Sequence, residues 1–153
     1  METRQVILEQ ALRLFATRGY EAVGVQEVCE AAGVTKPTLY HHFGNKGGLL
    51  EALLEERGLP FLDTLGRAAE YTGDLPRTLH QVTLACFQFA RSEPMLSRLL
   101  LGSWFAPVEG EVHQRAARFL EKQHQLVREL FRRAAEDHGN MKGRQQIHAR
   151  SEE

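Results

Sequence analysis

The clearest structural pattern of the sequence lies in residues 25–43, VQEVCEAAGVTKPTLYHHF. Apolar side chains recur at helical spacing on both sides of a short Ala-Gly-Val turn centred on Gly33. They are Val25, Val28 and Cys29 before the turn, and Leu39 and Phe43 after it. Two helices joined by a glycine-containing turn form a helix-turn-helix, whose second helix can enter the major groove of DNA. The sequence therefore predicts a DNA-binding motif at this point.

The charge around this stretch favours the same prediction. Residues 31–50 contain no Asp or Glu. The basic side chains within them are Lys36, His41, His42 and Lys46. Because the formal net charge of the 153-residue chain is −1, the overall balance gives no indication of a nucleic-acid partner. Only the local charge near the second helix of the motif does so.

The motif belongs to a longer stretch, residues 8–54, that resembles the DNA-binding domain of the TetR family of bacterial transcription regulators. The matching residues are Ala11, Leu14, Phe15, Gly19, Tyr20, Glu27, Val28, Ala32, Gly33, Val34, Thr35, Lys36, Thr38, Leu39, Tyr40, His42, Phe43, Asn45, Lys46 and Leu49. Gly24 departs from the family pattern, which usually has Ser or Thr there to cap the helix and touch a phosphate. Because glycine has no hydroxyl, no side-chain contact is expected from it.

The resemblance implies an all-α chain with two parts. Residues 1–47 would form a three-helix DNA-binding domain, and residues 48–153 a helical domain for ligand binding and dimerisation. The implied DNA contacts are Tyr40, His42 and Lys46 on phosphates, with Thr35, Lys36 and Thr38 at the groove or its backbone. Hydroxyl, imidazole and ammonium groups suit phosphate oxygens, and a helix N-terminus adds partial positive charge. The alternative for these side chains is a half-buried tyrosine ring and solvated histidines.

The resemblance also implies how such a protein works. A homodimer would bind a palindromic operator in double-stranded DNA, and a small apolar or aromatic effector would release it, so that the protein acts as a repressor. An effector can do this only if it binds the conformer that does not bind DNA more tightly.

Outside the motif, the hydrophobic pattern predicts helices along the whole chain. We expect them at about residues 3–18, 25–32, 36–43, 46–69, 75–92, 95–105 and 109–137. Gly58 and Pro60 should bend or break the fourth helix. Leu84 and Phe87 give the helix at 75–92 a second apolar side, which predicts a central position for it.

A small-molecule site is expected in the second part of the chain, because cavities between packed helices are common ligand sites. The candidate ligand-binding residues are Phe87, Phe89, Trp104, Phe105, Phe119 and His124. His113 and His124 fall on nearly one line of the last predicted helix. The alternative is that aromatic side chains at helical spacing simply form the core.

Patterns for metal binding and catalysis are absent from the sequence. It contains no HExxH, CxxC, P-loop or GxSxG motif, so we expect no enzyme, no metal and no cofactor. Cys29 and Cys86 both lie in apolar helical patterns, which fits reduced thiols. There is no apolar run of membrane-spanning length and no signal-peptide core, so a cytoplasmic protein without a membrane partner is expected.

The end of the sequence differs from the family pattern. The family usually continues with two helices that pair with a second subunit, so the regulatory domain is expected to be C-terminally short. Weak dimerisation through residues 99–105, Leu120 and Leu126 is then expected. Two alternatives remain open, namely a dimerisation-impaired regulator that acts through protein contacts, and an enzyme built on a helical bundle.

Overall fold

The computed structural model describes residues 2–138, and every regular element in that range is helical. The elements are α1 (Thr3–Arg18), α2 (Val25–Ala32), α3 (Lys36–Phe43), α4 (Lys46–Leu53), a π-helical segment (Leu54–Gly58), α5 (Leu59–Ala68), α6 (Leu75–Ser92), α7 (Pro94–Ser103) and α8 (Glu111–Asp137). The all-α prediction is confirmed. Among the described residues, no helix combines the length and apolarity that a membrane span requires. The sequence predicts too few apolar side chains in residues 141–153 for this segment to bury itself, and that prediction lies outside the described residues.

Local chemistry sets several helix ends. Gly33 ends α2 with a φ of 66°, a left-handed conformation that glycine adopts without the cost of a β-carbon. The Asn45 side chain accepts a hydrogen bond from the Gly48 N–H at 2.8 Å and so caps α4. The Asp74 carboxylate accepts from the Arg77 N–H at 3.0 Å and caps α6 in the same way. The first two caps fix the turn between α2 and α3 and the turn between α3 and α4.

The long helix expected at residues 46–69 is interrupted, as predicted. Pro60 lacks an N–H and its ring would clash with a carbonyl of the preceding turn, and the π-helical segment immediately before it opens that turn. Gly58 lies in this segment against α8, where an added β-carbon would stand 2.5 Å from the Phe119 ring. The wide turn and the glycine together let α8 pack closely on this helix.

One continuous hydrophobic core runs through the motif helices and the rest of the described chain. α1 contributes Ile7, Leu8 and Phe15, all at most 1% exposed, and it packs on α2, α4 and α7. Because α1 packs on both, the motif helices are joined to the later helices of the described chain by packing as well as by the chain itself. The expected domain boundary after residue 47 falls inside α4 and stays a prediction.

α6 is less central than its two apolar sides predict. Val82 and Ala85 are buried on one side, where α5 and α7 pack. On the other side Leu84 is 40% exposed and Phe87 is 70% exposed. No element within residues 2–138 covers that second side, so the expectation of a central α6 is wrong for the described part of the chain.

Candidate nucleic-acid interface

α3 has one buried face and one exposed face. Leu39 is fully buried and Phe43 is nearly so, and both pack into the core beneath the motif. Lys36 and His41 are exposed, and the Tyr40 ring is 44% exposed. The apolar positions therefore fix the helix to the fold, while basic and hydroxyl-bearing side chains face outward.

The start of α3 offers several hydrogen-bonding groups at once. The Thr35 and Thr38 hydroxyls are hydrogen-bonded to each other at 2.9 Å, which holds both at the first turn. Thr35 makes no side-chain cap, so the N–H groups of that turn are not satisfied by it. Free N–H groups and the positive end of the helix dipole attract phosphate. The structure thus brings Thr35, Lys36, Thr38 and Tyr40 together on α3.

The two histidines lie at the other end of α3. The His41 and His42 rings meet edge to face, with centroids 5.4 Å apart, and His42 is half-buried beside Phe43. Their imidazoles are accessible at the C-terminal turn of the helix. His42 is therefore placed at the edge of the exposed face rather than at its centre.

Glu27, one of the two acidic side chains of α2, is held by two neighbours. Glu27 accepts a hydrogen bond from the Gly24 N–H at 3.0 Å and forms an ion pair with Arg18. The bond from Gly24 and then the one from Arg18 hold the pKa of this carboxyl below its ordinary value. Gly24 thus begins α2 without a side-chain cap, and Glu27 supplies the reciprocal contact from three residues on.

Lys46 is placed differently from the other predicted contacts. Its ammonium lies 4.1 Å from the centroid of the Tyr20 ring and 5.9 Å from that of Phe15. Burial lowers the pKa of Lys46, and the carboxylates of Glu21, Glu111 and Glu27 oppose that shift. In this conformation the side chain folds back over an aromatic ring, and its contact with a phosphate stays a prediction.

Sequence reasoning missed the groups that join the motif to α8. The Tyr20 hydroxyl donates to Glu111 Oε2 at 2.5 Å, although the two residues are 91 positions apart. Arg115 forms ion pairs with Glu111, at 3.0 Å, and with Glu51 of α4. In the sequence, only the match of Tyr20 to the family pattern marked any of these residues, and that match did not indicate Glu111 as its hydrogen-bond partner.

The six predicted ligand-binding residues do not converge on one cavity. Trp104 and His124 help to line a cavity of about 150 Å³ between α7 and α8. Its other lining residues are Ser103, His113, Ala117, Leu120 and Glu121. Phe119 is buried against Gly58, and Phe89 stacks on Phe61 with centroids 4.2 Å apart. Phe87 and Phe105 are 70% and 92% exposed. The helical spacing of these four rings thus reflects core packing or surface position.

Comparison with known proteins supplies the family. A family model described as bacterial regulatory proteins, tetR family, matches residues 7–53. The HTH-type transcriptional activator FasR of Mycolicibacterium smegmatis is 33% identical over 99 residues, which are 65% of this chain and 45% of FasR. The HTH-type transcriptional regulator AcrR of Shigella flexneri is 36% identical over 85 residues, 54% of this chain and 39% of AcrR. The chain thus spans less than half the length of these two relatives.

A solved structure extends the similarity beyond the motif. The TetR family transcriptional regulator PfmR from Thermus thermophilus is 30% identical, with a TM-score of 0.59. The match covers 85% of this chain and 70% of PfmR. All three similar proteins are named as transcription regulators rather than enzymes. Sequence motif, helical architecture and this match agree, and the chain belongs to the TetR family of bacterial regulatory proteins.

Proposed function

We propose that this chain is a sequence-specific DNA-binding transcriptional regulator, and that it acts as a repressor released from its operator by a small apolar effector. The observation that carries the proposal is the two-faced arrangement of α3. Leu39 and Phe43 anchor the helix, while Lys36 and Tyr40 face outward in a segment, residues 31–50, that contains no acidic side chain. This surface can approach a polyanion without unpaired negative charge of its own.

The proposed contacts divide by role. Thr35, Lys36 and Thr38 lie at the N-terminal turn of α3, which enters the groove first in a helix-turn-helix. Tyr40 and His42 lie further along and suit the phosphates that flank the groove. Base contacts carry sequence information, whereas phosphate contacts fix the position of the protein on the duplex.

A homodimer on a palindromic operator is the proposed assembly. One recognition helix spans only a few base pairs, and two half-sites about one helical turn apart, roughly 34 Å, are needed for specific affinity in this class of motif. FasR of M. smegmatis is named as an activator. Whether this chain represses or activates is therefore measured by transcription from a promoter that carries the operator. We expect repression.

The proposed effector site is the cavity between α7 and α8. Its volume of about 150 Å³ corresponds to a space that accepts a single aromatic ring. Ala117 and Leu120 provide apolar walls, while His124 and Glu121 provide polar groups that could orient a hydroxyl. Trp104 lies at the cavity, so the fluorescence of this single tryptophan reports on occupancy.

Operator selection tests the DNA-binding part of the proposal. Random duplexes are incubated with the full chain, recovered and sequenced. The same selection is run with Lys36→Ala and with a control, Lys122→Ala, at an exposed position of α8. Both variants lose one positive charge, but only Lys36 lies on α3. We expect the wild type and the control to enrich one palindrome and Lys36→Ala to enrich it weakly. Absence of enrichment by a folded wild-type chain contradicts the proposal.

Titration with benzyl alcohol tests the effector site. We expect Trp104 emission to change in a saturable manner, and Leu120→Phe, which fills the cavity, to weaken the apparent affinity by about tenfold or more. The matched control is Leu59→Phe on α5, since Leu59 is 40% exposed and does not line the cavity. An equal response from all three proteins places the binding elsewhere.

A further inference from the structure

Five side chains meet where the DNA-binding helices contact the start of α8. We call them the junction cluster: Tyr20, Lys46, Glu51, Glu111 and Arg115. Tyr20 follows α1, Lys46 and Glu51 belong to α4, and Glu111 and Arg115 form the first turns of α8. Four of the five have no part in the proposed DNA or effector contacts, so their arrangement needs its own explanation.

The cluster is linked from end to end. Glu111 accepts the 2.5 Å hydrogen bond from Tyr20 and pairs with Arg115, which in turn pairs with Glu51. The Lys46 ammonium lies over the face of the same Tyr20 ring at 4.1 Å. Lys46, a proposed phosphate contact, is thus linked through Tyr20 to the Glu111 carboxylate of α8.

The cluster is buried at its Tyr20 end, whereas the Glu51 and Glu111 side chains are partly exposed. Tyr20 is 3% exposed, and burial together with the bond to Glu111 raises the pKa of its hydroxyl. The bond from Tyr20 is the main reason that the pKa of Glu111 is lowered. A neutral phenol that donates to an ionised carboxylate makes one of the stronger kinds of hydrogen bond.

Gly47 makes this approach possible. It is buried in the first turn of α4, and a β-carbon there would lie 1.9 Å from Glu111 Oε1 and 2.7 Å from Arg115 Nη2. Any larger residue would occupy the space of the Glu111 and Arg115 side-chain ends. The absence of a side chain therefore brings α8 into contact with the N-terminus of α4.

α8 presents the junction cluster and the cavity on opposite faces. With 3.6 residues per turn, Glu111 and Arg115 share one side of the helix. His113, Ala117, Leu120 and His124, which line the cavity, lie roughly half a turn around from them. The His113 imidazole is hydrogen-bonded to the Ser103 carbonyl at 3.0 Å, so this second face is tied to α7. A molecule in the cavity would press on α8 from the side away from the DNA-binding helices.

We infer that Tyr20, Glu111 and Arg115 are positioning residues that couple the cavity between α7 and α8 to Lys46 and α4. The inference rests on the proposed function. A shift of α8 changes the Tyr20–Glu111 bond and the Arg115–Glu51 pair, and with them the orientation of α4 and the freedom of the Lys46 ammonium to leave the ring. By linkage, DNA bound at α3 must then change the affinity of the cavity for its ligand by the same factor as the ligand changes the affinity for DNA. We expect the accompanying shift of α8 to change the surroundings of Trp104, which lines the cavity.

Trp104 emission on addition of DNA tests the coupling without an identified effector. The duplex recovered by operator selection is added to saturation to wild type, Tyr20→Phe and Tyr71→Phe. Tyr20→Phe keeps the ring beneath Lys46 and removes only the hydroxyl. Tyr71→Phe is the matched control, because its hydroxyl is hydrogen-bonded to His138 at 3.1 Å, away from the cluster.

We expect DNA to change the emission of wild type and the control, and the change to fall by more than half in Tyr20→Phe. A full response in Tyr20→Phe, or no response in a wild type that binds the duplex, overturns the coupling. If the folded wild type binds no duplex, the proposed function fails, and the coupling fails with it.

A double-mutant cycle provides a readout without DNA. Unfolding by denaturant is measured for Tyr20→Phe, Glu111→Gln and the double variant. We expect the effect of the double substitution on the unfolding equilibrium constant to differ about tenfold from the combined effects of the two single ones. This is the size expected for a hydrogen bond to a charged group between residues in contact. Additive effects overturn the junction cluster as an energetic unit, even where DNA binding itself is intact.

Discussion

At the scale of single residues, two adjacent glycines of α4 meet different neighbours. A β-carbon on Gly48 would lie 2.0 Å from the Phe43 carbonyl oxygen, which is backbone, whereas one on Gly47 meets only the ends of the Glu111 and Arg115 side chains. Side-chain ends can move, but the carbonyl at the end of α3 cannot move without shifting that helix. The two positions therefore differ in tolerance although the residue is the same.

We expect Gly48→Ala to lower the free energy of unfolding by about 2 kcal/mol or more, as for overpacking of a tight site. Gly47→Ala should lower it by less, because only the ends of the Glu111 and Arg115 side chains must move aside and because alanine favours the helix. Denaturant unfolding of both variants measures the difference. Equal losses in the two variants would show that the Phe43 carbonyl is not the obstacle.

Glu111 gives the stability a defined pH dependence. Its pKa in the folded chain lies below the ordinary 4.5, chiefly because Tyr20 donates to the carboxylate. A group with a depressed folded pKa contributes stability above its unfolded pKa, and that contribution is lost as the pH falls through the folded pKa. The stabilisation from ionised Glu111 should therefore be complete at pH 7 and decline below pH 4.5.

The comparison of wild type with Glu111→Gln measures this contribution, because the other carboxylates titrate alike in both. We expect the wild type to be more stable at pH 7 and the difference between the two free energies of unfolding to shrink as the pH falls below 4.5. A constant difference across this range would mean that ionised Glu111 does not contribute through the Tyr20 bond.

At the scale of helices, local pattern predicted α2 and α3 with the bounds that the structure has. Apolar spacing and the glycine turn suffice there, because neighbouring residues decide both. The Tyr20–Glu111 bond and the cavity beside Trp104 could not be predicted in this way, since they join residues distant in sequence. The outward face of Phe87 was missed for a related reason, as periodicity shows that a side is apolar but not what covers it.

α3 and the start of α4 also carry a prediction about phosphate contacts. Tyr40→Phe and Lys46→Ala should weaken binding to every duplex alike, because phosphate contacts carry no sequence information. Loss of Lys46 should lower the slope of log affinity against log salt by about one per site. Binding isotherms at several salt concentrations measure both quantities. An unchanged slope with altered sequence preference would contradict the role of Lys46.

At the scale of the whole molecule, the exposed apolar side chains point to self-association. Leu120 and Leu126 pack against the core, so the expected contribution of α8 to a dimer surface is small. The large exposed apolar residues of α6, of α7 and of the segment after α7 are Leu84, Phe87, Met95, Leu101, Trp104, Phe105 and Val108. α6 and α7 pack on each other, and exposed apolar side chains gathered on neighbouring helices are typical of interaction sites.

We expect the 153-residue chain to form a weak, concentration-dependent dimer through this surface. Phe87→Ser and Phe105→Ser should shift sedimentation towards the monomer. Leu59→Ser on α5, a control for loss of an exposed apolar side chain, should leave it unchanged. A wild-type chain that stays monomeric at high concentration, or a tight dimer unaffected by these changes, would show that this surface is not the interface.

Sequence-specific recognition of DNA by α3 is tested most directly by an affinity ratio. The ratio compares the selected operator with a scrambled duplex of the same length and composition. Fluorescence anisotropy at one fixed, near-physiological salt concentration measures both affinities for the same protein sample. We expect the operator to bind about a thousandfold or more tightly, the range of sequence-specific proteins, and Lys36→Ala on α3 to reduce the ratio. Equal affinity of the folded chain for the two duplexes would contradict sequence-specific recognition by α3.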